Sequence, residues 1–168
     1  MTFGLDPQAA ASVVKPVRSA LTGKPLMVKL SPNAPDLTAV ANACVNSGAD
    51  ALSLVNTFKA MAIDIQNRRP VFNNISAGLS GPAIKPIALR MVWDLRRAVA
   101  VPIVGMGGIA CADDALEFLM AGASAVQVGS ATFSHPNTMI EIIEGIESYM
   151  RSYKLSAVRE ISLKKQLG

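Results

Sequence analysis

The sequence predicts an α/β fold: the C-terminal half to two-thirds of a TIM (β/α)8 barrel, with parallel strands. Three observations carry this. Apolar runs near Leu26, Ala51, Pro102 and Ala125 are each followed by a helical pattern, and alternating helices and buried strands imply a parallel sheet. The last two runs, within VPIVGMGGIACADDALEFLMAGASAVQVGSATF from Val101 to Phe133, both end in small-residue turns. Loops after strands 7 and 8 of such a barrel form its usual phosphate site. Finally, the chain has 168 residues, short of the roughly 250 that eight strands and their helices take. Counted back from the glycine turns, the visible strands are 5 to 8. Residues 1–168 are therefore expected to be a single partial barrel domain whose N-terminal half is missing, with Met1 an internal methionine of a longer protein.

Composition agrees. Hydrophobic residues make up 51% and aromatics 5%, the aliphatic profile of buried parallel strands. No apolar run approaches the ~20 residues of a membrane span, and MTFGLDPQAA lacks the basic and apolar regions of a signal peptide. Cys44 and Cys111 fall in predicted helices without metal-ligand spacing. They read as free thiols of a cytoplasmic protein, with no metal site. The net charge of +4 is mild. Arg68 with Arg69, Arg96 with Arg97, and the tail from Arg151 through Lys165 are explained by solvated helix faces, so neither nucleic acid nor membrane is an expected partner.

Taken in order, Asp6 and Pro7 form an N-cap and first-turn proline for a helix through Ala9, Val13, Val14 and Val17. Pro16 is expected to kink or shorten it, and Gly23 to end it. In the strand Pro25 to Ser31, Lys29 stands between Val28 and Leu30 near the C-terminal end. There it either snorkels to water or meets an anionic group at the barrel mouth. A helix from Pro35 to Ser47 presents Val40, Cys44 and Val45, with Gly48 as its C-cap. The strand Ala51 to Val55 ends in Asn56 and Thr57, which serve either substrate contact or an ordinary turn.

Phe58 to Pro82 is too long for a routine strand-to-helix connection. Its apolar pieces Ala62 to Ile65 and Val71 to Phe72, around the turn Gln66 to Arg69, predict a small hairpin over the mouth. Gly78, Ser80 and Gly81 then open a helix through Ile87, Met91, Leu95 and Val99, where ligand atoms can approach backbone. Next come Val101 to Val104 with Gly105, Gly107 and Gly108, a helix from Cys111 to Met120 with Asp113 and Asp114 in its first turn, and Ala125 to Val128 with Gly129 and Ser130. Either glycine turn alone satisfies an ordinary connection; the pair points to phosphate. In the helix Pro136 to Tyr149 the face of Met139, Ile140, Ile143, Ile146 and Met150 is assigned to the core, and His135 to a structural role. Leu155 to Lys165 predicts one or two further amphipathic turns.

LMVKLSPN, ALSLVNTF, GLSGPAIKP, PIVGMGGI and ASAVQVGSA, in this order, resemble the C-terminal part of dihydroorotate dehydrogenase. The likeness runs from about Phe3 to the final helix. NTFKAMAIDI and its long following loop are similar to the NAD-linked class (1B), whose catalytic subunit works with an iron–sulfur FAD electron-transfer subunit. The resemblance implies FMN at the barrel mouth and oxidation of dihydroorotate to orotate in pyrimidine biosynthesis. It places Lys29 beside the flavin ring, near its N1/O2 edge, and Val55 and Gly81 against the flavin. Asn56 and Thr57 match the orotate-binding pair, and Gly107, Gly108, Gly129 and Ser130 match the phosphate cradle.

In the family a cysteine on an N-terminal-half loop is the general base. This chain has no counterpart, so no catalytic residue is assigned to it. Cys44 and Cys111 do not substitute, since both are expected on helices away from strand C-terminal ends. A chain of this extent is expected to be inactive alone and to self-associate, aggregate or require a partner supplying the missing half, because its sheet edges lack partners; a homo-oligomer is the expected state. Two other readings stay open: a non-catalytic FMN- or phosphate-binding half-barrel, and a different phosphate-binding barrel enzyme.

Overall fold

A computed structural model describes residues 3–163; Met1, and Lys164 and Lys165 of the basic tail, lie outside them. Its centre is a four-stranded parallel sheet in the order β1-β2-β7-β8, formed by β1 (Met27–Lys29), β2 (Ala51–Leu54), β7 (Ile103–Met106) and β8 (Ala125–Gln127). Between β2 and β7 the chain makes four short strands, β3 (Phe58–Ala60), β4 (Ile63–Asp64), β5 (Arg69–Pro70) and β6 (Ala77–Leu79). The helices are α1 (Pro7–Ala20), α2 (Leu37–Asn46), α3 (Lys85–Arg96), α4 (Ala112–Met120), α5 (Ala131–Ser134) and α6 (Thr138–Ser152).

Capping sets the first two helices. Asp6 accepts the Ala9 N–H at 2.7 Å and Asp36 accepts the Ala39 N–H at 2.9 Å, each satisfying a donor that the helix itself cannot. Pro16 lies inside α1 without ending it. Ser12, whose carbonyl loses its partner, is exposed like Pro16 itself, so water can take the bond.

Register divides the sheet into two faces. Lys29, Ser53, Val104 and Ala125 are laterally aligned, as are Met106 and Gln127. Alternate residues Leu52, Leu54 and Ile103 point the other way and are fully buried beneath the helices. They join Val40, Ala88, Val92 and Phe118 in one core. The opposite face is more polar than the apolar runs led us to expect. Lys29, Ala125 and Gln127 are exposed on it, and Met27 is 46% exposed.

The long connection is richer than expected. The hairpin β4–β5 is present, with Arg69 and Pro70 rather than Val71 and Phe72 in its second arm. A second antiparallel pair, β3 with β6, clamps its base and has no strong alternation in the sequence. Two helix faces need correction. In α3 the buried residues are Ala88, Val92 and Leu95, whereas Ile87 is 49% exposed. In α6, Met139, Ile140 and Ile143 are exposed and the buried positions are Thr138 and Ile142. Both helices carry apolar residues around more than one face, so the neighbours decide which face is covered. α6 meets α4 and the C-terminal segment through Ile146, Tyr149 and Met150. That segment is a single 3-10 turn, Val158–Glu160, anchored by buried Ile161.

Candidate functional site

Parallel strands deliver their C-terminal ends, and the loops that follow, to one edge of the sheet. Here that edge carries a cleft of about 760 Å³, within the range of small-molecule and cofactor sites. Lys29 stands at the end of β1, Val55, Asn56 and Thr57 just after β2, Gly107 and Gly108 after β7, and Gly129 and Ser130 after β8; all eight line the cleft. Gly81 stands just behind the lining, which its neighbours Ser80 and Ile84 provide. Its backbone nevertheless abuts the cleft wall, since the Gly81 oxygen lies 2.9 Å from where a Gly108 Cβ would stand.

The side chains differ in how far the protein uses them. Lys29 is exposed, and no carboxylate among the described residues lies within ion-pair distance of it. Asn56 spends its side-chain oxygen on the Thr57 N–H at 2.8 Å, leaving its NH2 group to donate. The peptide joining Leu54 to Val55 is cis. Asn33, in the loop after β1, escaped the sequence reading. It donates to the Thr57 carbonyl at 3.1 Å and accepts the Lys59 N–H at 3.0 Å, so it pins the chain on both sides of Phe58. Its position after a strand in LSPN was the available signal.

The two glycine turns are built differently. A Cβ on Gly108 would stand 2.8 Å from the backbone nitrogen and the Cβ of Lys85, and φ is +80°. Gly108 is glycine because α3 starts against it. A Cβ on Gly129 would meet nothing within 4 Å, so at Gly129 the space belongs to the cleft. The N–H groups of Gly107, Gly108, Gly129 and Ser130 donate to no carbonyl or side chain among the described residues. Unspent backbone donors at two turns that line one cleft are what an anionic oxygen needs.

The last two donors of the loop after β7 are taken. Asp114 Oδ2 accepts the Ala110 and Cys111 N–H groups at 2.9 and 3.2 Å, while Lys85 Nζ donates to Asp114 Oδ1 at 2.7 Å. Burial by itself raises the Asp114 carboxyl. The bonds from Lys85, Ala110 and Cys111 outweigh that and hold it below the usual carboxylate range. A carboxyl lowered by folding stabilises the fold above its ordinary value, and that contribution is lost as pH falls through the lowered value. Asp114→Asn should therefore unfold in acid with a shallower pH dependence below about pH 4 than the parent, a difference read by circular dichroism across an acid titration.

Cys111 corrects an expectation: it is the exposed N-cap of α4, in the turn that follows β7, rather than a residue within the helix. It still does not line the cleft, and Cys44 is buried, which pushes its thiol up.

The family model for dihydroorotate dehydrogenase matches residues 1–150. This chain belongs to the dihydroorotate dehydrogenase family. The curated relatives include the catalytic subunit of dihydroorotate dehydrogenase B (NAD(+)) from Geotalea daltonii, 58% identical over 96% of this chain and 52% of its own length. The corresponding subunit of Porphyromonas gingivalis is 55% identical, with 96% of this chain and 52% of that protein covered. The chain thus spans about half the length of the curated relatives it matches. Their description as a catalytic subunit implies a further subunit in those proteins. Among solved structures, that of DHODH in complex with ferulenol from Eimeria tenella superposes with a TM-score of 0.76 at 22% identity, over 94% of this chain and 48% of that one. The likeness shows the same parallel α/β arrangement, consistent with part of a barrel. No helix among the described residues is long and apolar enough to cross a membrane.

Proposed function

We propose that this chain is the flavin- and orotate-facing portion of an FMN-dependent dihydroorotate dehydrogenase of pyrimidine biosynthesis. The observation that carries the reading is the cleft itself. It has an unpaired lysine at one end, hydrogen-bonding side chains after the adjacent strand, and four unspent N–H groups at the far turns. These residues fit FMN. Gly107, Gly108, Gly129 and Ser130 would hold the phosphate, and apolar Val55 and Met106 would flank the ring. The group supplies hydride acceptance from dihydroorotate. Lys29 holds a positive charge where negative charge develops during that transfer, which a preorganised cation stabilises without reorganising. Asn56 and Thr57 orient the carboxylated substrate ring by donating to it.

Two expectations test the reading. Lys29→Met should leave folding unchanged but shift the midpoint potential of bound FMN to more negative values, read by anaerobic titration. An unchanged potential with earlier melting would make the lysine structural. The chain alone, given FMN, should not oxidise dihydroorotate, because no cysteine reaches the cleft to serve as base. In the whole enzyme we propose a cytoplasmic complex in which an iron–sulfur FAD subunit carries electrons onward to NAD.

We further propose that the chain forms homo-oligomers. β1 and β8 each pair on one side only, and Phe133 and Ile143 beside the cleft are 89% and 57% exposed, a combination that favours self-association. Light scattering should report species larger than the 17.6 kDa monomer; a stable monomer across concentrations would refute it.

A further inference from the structure

GLSGPAIKP contributes more to the site than the glycine of its flavin-facing loop. Its lysine, Lys85, opens α3 and lies 25% exposed between two carboxylates of α4, at 2.7 Å from Asp114 and 3.0 Å from Glu117. Neither carboxylate lines the cleft, nor does Lys85 itself. What Lys85 and Asp114 share is the loop from Gly107 to Cys111. Asp114 receives the lysine on one oxygen and, on the other, the two N–H groups that close that loop. On its other side the loop rests on the backbone of Lys85, close enough that Gly108 has no room for a Cβ. Lys85 therefore grips the loop twice, once by backbone contact and once through Asp114.

This bears directly on Gly107 and Gly108. Every N–H after Ile109 in the loop is consumed by Asp114, while those of Gly107 and Gly108 are not consumed at all. The arrangement separates donors that hold the loop from donors left for a ligand. Hydrogen bonds to charged groups are among the stronger ones. This bracing is 14% exposed at Asp114, so it is only partly screened by water. Burial and pairing act on it as a unit, and Lys85 is raised above its ordinary value chiefly by its bond to Asp114, then by Glu117.

We propose that Lys85 and Asp114 are positioning residues for phosphate: their ion pair holds the Gly107–Gly108 donors in the geometry that an FMN phosphate requires, without touching the ligand. The proposal rests on the phosphate reading of the cleft. It goes beyond it by making affinity for the phosphate, and only the phosphate, depend on a pair outside the cleft.

The test compares FMN with riboflavin, which lacks the phosphate, on this chain by flavin fluorescence titration. Lys85→Met should weaken FMN about tenfold, the worth of one strong charge-assisted bond, and leave riboflavin within twofold. Asp114→Asn should do the same, and Lys85→Arg, which keeps the pair, should restore the FMN preference. Equal loss of both flavins, or loss of neither, would overturn the proposal. If the parent does not prefer FMN over riboflavin, the phosphate reading fails instead, and amide hydrogen exchange still decides the bracing. Ala110 and Cys111 should exchange faster in Lys85→Met and at the parental rate in Lys85→Arg; unchanged exchange in Lys85→Met overturns it.

Discussion

Gly129→Val is expected to lower FMN affinity by at least about a hundredfold, the loss of two or more charge-assisted hydrogen bonds, with the fold unchanged. Gly129 ends the connection from β8 and lies in the cleft lining. A Cβ there meets nothing within 4 Å, and no left-handed backbone angle is recorded for the residue. Valine can therefore be accommodated by the protein, and its methyl groups occupy the space that a phosphate would otherwise fill. The same substitution at Gly108 has a different consequence. Its Cβ would collide with the Lys85 nitrogen at 2.8 Å and the Gly81 oxygen at 2.9 Å, in a conformation that side chains avoid. Gly108→Val should lower stability as well as binding, and so cannot isolate the phosphate. Isothermal titration with FMN beside a thermal melt separates the two cases. Parental affinity in Gly129→Val would remove that turn from the cradle.

The largest expected effect on stability comes from Phe118→Ala. Phe118 is fully buried in α4 and is the largest such side chain among the described residues. Its ring fills the space beside Gly105 in β7, where a Cβ would stand 2.6 Å from Cδ1 of the ring, and it packs within the core formed by the sheet and the helices. Removing a buried phenylalanine ring costs about 3–5 kcal/mol, through lost transfer energy and the cavity left behind. Against a domain stability of roughly 5–15 kcal/mol, that removes a large share of the margin. Urea denaturation followed by circular dichroism should show the transition shifted strongly to lower urea, with FMN affinity falling only as the folded fraction does. A change below about 1 kcal/mol would mean that the core relaxes into the vacated space.

These two substitutions mark the boundary of what could be read from the residues. Strand positions were legible because buried parallel strands are continuous apolar runs, and Asp6–Pro7 announced a helix start by side-chain chemistry that acts within one turn. The order of strand ends then placed Lys29, Asn56 and Gly129 on one edge, since parallel strands share a direction. The pairing of β3 with β6 was not legible: Phe58–Ala60 and Ala77–Leu79 are short, lack alternation and stabilise each other only across a long connection. The covered face of α6 was not legible either. Ile142 and Ile143 are chemically alike, and only packing into the main core, with Ala115 and Phe118 of α4, buries the first while the second stays exposed.

The glycines show the same division. By itself the sequence determined that Gly107, Gly108 and Gly129 follow strands, and so that small residues stand at the C-terminal edge of a parallel sheet. Only the tertiary structure decided that Gly108 makes room for the start of α3 while Gly129 leaves room in the cleft. It also decided that Lys85, far from Asp114 in the chain, would meet it across the loop. Local chemistry sets backbone preferences within a few residues. What fills the space beside a missing side chain depends on segments that reach it only when the chain is packed.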